Sequence, residues 1–160
     1  MARPNEVGGC MEILKKYIRS WGVPIFAAVC GLVAFFMIFL KAIVISPDYL
    51  ITAGKYSGLQ VAFGFTLNNI KVFEPSVGII FAFFFPLVGA CTLIIGKGYK
   101  IAEIVAAAFL LVGGILALCA AHLLRGLYVG APSLAGGAIA SGVLALLGSA
   151  AAVGTVFLKD

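Results

Sequence analysis

Charge is what this sequence has least of. Charged residues make up 11% of its 160 residues, against a hydrophobic content of 63%. Soluble domains carry about 25% charged residues, so a soluble class is excluded and an integral membrane protein is predicted. Acidic side chains are the rarer sign, 6 against 11 Lys and Arg, leaving a net charge of +5. The cations form no basic stripe with interleaved aromatics, which argues against nucleic acid as a partner. They flank apolar segments instead, where the lipid bilayer and its anionic headgroups are the partner.

Chemistry-bearing residues are equally thin. There is 1 histidine, His122, three residues before Arg125. A metal site needs further ligands, and Cys119 is its only soft neighbour on the same predicted helix. The serines in the apolar runs, Ser141 and Ser149, have no acid nearby in sequence to complete a nucleophilic arrangement. They are expected to donate to their own or a neighbouring helix. No Walker A loop, GxGxxG, HExxH or paired-carboxylate motif is present. Neither enzymatic activity nor a cofactor is expected. None of the four cysteines (Cys10, Cys30, Cys91, Cys119) falls in a connecting loop, so no disulfide framework is indicated. Val7–Cys10 has the look of a lipoprotein cleavage box but follows no hydrophobic region. For Cys10, acylation beside the membrane is the alternative to an ordinary free thiol.

What the chain has is long apolar runs. A bilayer core of about 30 Å needs roughly 20 apolar helical residues. Four segments qualify: 22–45, 77–95, 101–124 and 134–158. The first is too long for a cleaved signal and no A-x-A site follows it. An even number of spans puts both termini on one side. Arg3, Lys15, Lys16, Arg19, Lys97, Lys100 and Lys159 on that side outnumber Lys41, Lys55, Lys71 and Arg125 on the other. The positive-inside rule then predicts cytoplasmic termini, and the absence of loop cysteines and of N-x-S/T sites fits a plasma membrane. In the tail, residues 1–21, Met11, Leu14, Ile18 and Trp21 fall at helical spacing opposite Glu12, Lys15, Lys16 and Arg19. That pattern predicts an amphipathic helix lying in the interface, as an anchor or an anionic-lipid sensor.

Small residues recur at helical spacing. Gly137, Ser141, Ala145, Gly148 and Ala152 line one face of the fourth span, Gly113, Ala117 and Ala121 the third, and Ala27, Gly31 and Ala34 the first. In lipid, helices associate by close packing through such residues, within a bundle or between copies. Pro86 lies in the middle of the second span and predicts a kink, a structural one or a hinge. The link Gly96–Tyr99 forces a hairpin, and Glu103, in the first turn that follows, suits the helix macrodipole and can pair with Lys100. As an ionisable group near a membrane segment it is also a functional candidate.

The loop 46–76 breaks the helical pattern. Leu59, Val61, Phe63, Phe65 and Leu67 alternate with small or polar residues, the period of a half-buried strand. With Tyr49–Thr52 before it, a turn at Asn68-Asn69 and Ile70–Phe73 after it, a three-stranded antiparallel meander is predicted, with residues 58–67 as its central strand. Leu127–Val129 of the third loop could join or cover it. The apolar face of that strand needs covering by helix ends, lipid or a partner, which makes those five residues the candidate partner surface.

The expected fold is therefore an all-α membrane protein, a single domain of four transmembrane helices with a small antiparallel sheet in the first extracytoplasmic loop. Four spans, a β-rich first outer loop, a tight cytoplasmic turn and a short second outer loop resemble the claudin-like superfamily. The W-GLW-C-C signature of that family is absent, Gly58-Leu59 being its nearest echo, so no functional residue carries over by motif. The resemblance implies a left-handed bundle with an outer sheet, and lateral association. Two functions follow from the residues. One is a non-enzymatic membrane protein that associates with itself or with another membrane protein. The other is a small oligomeric transporter or channel using Pro86, Glu103 or His122.

Overall fold

The structure, a computed structural model, describes residues 21–45, 54–67, 70–96, 99–124 and 132–157. In chain order its elements are α1 (Val23–Phe36), a 3-10 turn (Met37–Phe39), β1 (Lys41–Ile45), β2 (Gly54–Ser57), α2 (Gly58–Phe63), β3 (Phe65–Leu67), β4 (Ile70–Phe73), α3 (Val77–Ile95), α4 (Lys100–Leu118), α5 (Ala120–Leu124), β5 (Pro132–Leu134) and α6 (Gly136–Phe157). The chain is mostly helical. Helices α3, α4 and α6, of 19, 19 and 22 residues, are long and apolar enough to cross a membrane, which is compatible with a membrane-embedded protein. The predicted tail helix, Tyr49–Thr52, Asn68-Asn69 and Leu127–Val129 lie outside the described residues.

The second predicted span coincides with α3, but the first, 22–45, is not a single helix. The 14 residues of α1 and the 3 of the turn reach roughly 27 Å, short of a core of about 30 Å. A fourth helix of spanning length is thus not evident among the described residues. Lys41–Ile45 forms a strand instead. Hydropathy cannot separate an apolar strand from an apolar helix, and Ile43-Val44-Ile45 is β-branched throughout, which favours the strand. The third span is interrupted at Cys119. There α5 leaves α4 and seats Leu124, 0% exposed, in the core beneath the sheet.

The sheet also differs from the predicted meander. Its order is β2-β1-β5, all antiparallel, so the end of the first apolar run is the central strand and the third loop supplies an edge. A separate hairpin pairs β3 with β4, Phe65 opposite Phe73 and Leu67 opposite Ile70. Tyr56 of β2 joins the two, its ring 4.9 Å from that of Phe73 and 6.2 Å from that of Phe65.

Four helices enclose the interior, because α1 and α4 each pack against both α3 and α6. Glycines set how closely they approach. A Cβ on Gly31 of α1 would stand 2.7 Å from the Pro86 carbonyl oxygen, and one on Gly113 of α4 only 2.5 Å from Pro86 Cδ. Pro86 is buried inside α3, which continues through it, and is flanked by a glycine on each side. Between α4 and α6 the approach is mutual, for a Cβ on Gly114 would lie 3.1 Å from the Gly142 carbonyl oxygen and the reverse holds at the same distance.

Candidate functional site

The sheet, α2 and the β3–β4 hairpin together form a cap at one end of the helices, whose outward surface starts at Ser57. Its Oγ accepts from the Gln60 backbone N–H at 3.3 Å, and Gln60 Oε1 accepts from the Ser57 N–H at 3.0 Å. This reciprocal pair is a capping box, which satisfies donors that a helix start leaves unpaired. Residues 58–63 therefore coil into α2 rather than extend. Gly64, with φ of 88°, ends the helix in a conformation other residues rarely adopt and releases the chain into β3.

Helical geometry re-sorts the five residues expected on one strand face. Gly58, Val61 and Ala62 turn inward, Val61 being 0% exposed. Leu59 and Phe63, 42% and 53% exposed, lie four residues apart and so on one side of the helix. Phe65 is half-buried in the hairpin against Tyr56, and Leu67 closes that hairpin opposite Ile70. Among the side chains described, the expected single face is thus corrected to one exposed pair, Leu59 and Phe63. The overlooked signal was Ser57-x-x-Gln60, a helix-start pattern that outweighs a period-two run of this length.

The small-residue faces lie between the helices. Gly137, Ser141, Ala145, Gly148 and Ala152 of α6, with Gly113 and Ala117 of α4, are all buried. Gly148 faces the Ala27 carbonyl oxygen of α1, and Gly137 that of Lys41. Ser141 Oγ donates to the Ala34 carbonyl of α1 and Ser149 Oγ to the Ala107 carbonyl of α4, each at 2.9 Å. Both serines bond to a neighbouring helix, where a hydroxyl finds partners that lipid does not offer.

Glu103 lies deeper than its place in the first turn of α4 suggested. It is 1% exposed, and Thr155 Oγ1 of α6 donates to its Oε2 at 3.3 Å. The same hydroxyl is 2.6 Å from the Ala152 carbonyl oxygen, so one proton is shared between two acceptors. Thr155 was invisible as a partner, since 52 positions separate the two residues. His122 is exposed on α5, separated from Glu103 by most of α4, roughly 22 Å from Glu103 to Leu118 at 1.5 Å per residue. Pro86 packs at Gly31 and at Gly113, the latter ten residues along α4 from Glu103, roughly 15 Å. The three polar or hinge candidates are therefore not gathered into one site. Among the described residues no group of three His, Cys, Asp or Glu side chains is placed to hold a metal ion. No protein-family model, curated protein or solved structure matches the chain.

Proposed function

We propose that the protein is a non-enzymatic membrane protein that acts by lateral association, with itself or with another membrane protein, through its outer cap. In this reading α1 is a fourth, shortened crossing, the membrane is the plasma membrane, and both termini are cytoplasmic, as the Lys/Arg bias favours. The observation that carries it is the pair Leu59 and Phe63, two large apolar side chains exposed side by side on α2. The interior supports it indirectly, since Ser141 and Ser149 are spent on interhelical hydrogen bonds.

The test is blue-native electrophoresis of protein extracted in mild detergent, with Leu59→Glu/Phe63→Glu as the variant. A discrete assembly that the variant reduces to monomer is the expected result. A strictly monomeric, partnerless wild type, or an assembly the variant leaves intact, overturns it. The transporter or channel reading is favoured by one observation, the burial of Glu103 within α4 and α6, since intramembrane acids mark ion paths. Ion flux into liposomes that disappears with Glu103→Gln would establish that alternative.

A further inference from the structure

At the sheet end of the helices, a groove of about 600 Å³ is lined by Phe39, Leu40, Lys41, Val44, Lys55 and the start of α6 at Ala135–Gly137. Among the described residues two cations face it and no acid lines it. Among the described residues neither Lys41 nor Lys55 has an acidic partner. Their positions are fixed by the sheet: Lys55 is registered opposite Val44, and Lys41 opens the central strand. Like charges lining one groove repel unless an anion sits between them.

The backbone adds to the positive field. Ile139 N–H bonds to the Ala135 carbonyl, so the N–H groups of Gly136, Gly137 and Ala138 are the ones a helix start leaves without an intrahelical acceptor. Gly136 opens onto space, with nothing within 4 Å of where a Cβ would stand. Below the lysines the surface is apolar. Phe36 and Phe39 stack at 6.5 Å on the α1 side, and Ile139 and Val143 are exposed on the α6 side. Cations and helix donors above, and aromatic and aliphatic side chains below, match the polarity profile of one phospholipid.

We propose that this groove binds an anionic phospholipid, its phosphate between Lys41 and Lys55 and its acyl chains along Phe36, Phe39, Ile139 and Val143. The site depends on membrane placement and not on the association reading, because it uses neither Leu59 nor Phe63. Charge complementarity selects the occupant, and the continuous apolar floor selects a lipid over a soluble anion.

Native mass spectrometry of the full chain, titrated with phosphatidylglycerol or phosphatidylcholine, tests it. Wild type is expected to retain phosphatidylglycerol preferentially. Lys41→Gln/Lys55→Gln should weaken that binding roughly thirtyfold, the equivalent of about 1 kcal/mol per lysine at an anionic surface. Gly136→Glu, which brings a carboxylate to an open position, should weaken it without disturbing packing. Lys97→Gln/Lys100→Gln, the same charge change in the sequence that leads into α4, should leave it within twofold. Equal losses from both lysine pairs, no preference between the lipids, or full competition by soluble glycerol phosphate would each overturn the proposal.

Discussion

The two apolar clusters of this molecule both contain alanines but differ in the large side chains set among them. The one deep among the helices is largely alanine, with Ala27, Ala28, Ala90, Ala106, Ala107 and Ala152 around Leu93 and Leu110. The one beneath the cap is built around Phe73, Phe83, Ile38, Ile43, Ile79 and Leu124. The difference follows from what each surface would otherwise face. Between helices in lipid, burying a large apolar side chain gains little over leaving it in acyl chains, so attraction comes from short backbone separations. Where the alternative is water, as proposed for the sheet, burial of large side chains is worth about 25 cal/mol per Å². The inner cluster is therefore held by closeness and the outer one by bulk.

That contrast can be broken from either side. The largest effect is expected from Phe73→Ala, which empties the outer cluster and should cost about 4 kcal/mol, read as a lowered thermal midpoint in detergent. Next comes Gly31→Val, whose Cβ would meet the Pro86 carbonyl oxygen at 2.7 Å, Leu110 Cδ2 at 2.9 Å and the Ala90 Cβ at 3.0 Å. Overpacking of this kind should cost about 3 kcal/mol. A midpoint unchanged by Gly31→Val would show that the helices are looser than their glycines require. Ser149→Ala should have the smallest effect, about 0.6 kcal/mol, the usual worth of one interhelical hydrogen bond in a membrane. A loss above about 2 kcal/mol would mean that hydrogen bonding, rather than shape, holds α6 to α4.

What was legible in the sequence follows the same division. Residues 77–95 read correctly as a helix because length and hydropathy suffice there. Ile70–Phe73 read correctly as a strand through its β-prone residues. Residues 41–45 were unreadable by hydropathy, since a strand buried beneath helix ends is as apolar as the helix it follows. Residues 58–63 failed for a different reason. Their alternation is compatible with both periods, and the capping pair Ser57 and Gln60 decides between them locally. The exposed pair Leu59 and Phe63 emerged only once that helix was in place. Glu103 shows the limit on the site: its burial depends on α6, and no local pattern around it names Thr155.

The seat of Pro86 has an evolutionary consequence. Its carbonyl oxygen is met by Gly31 of α1 and its ring by Gly113 of α4, so three positions on three helices are locked to one another. A larger residue at Gly113 is tolerated only if the ring at position 86 is lost as well, whereas Gly31 faces a backbone oxygen that any residue at 86 would carry. Drift at 86 and 113 must therefore proceed in concert, while Gly31 is expected to stay glycine in diverged copies of this chain whatever stands at 86.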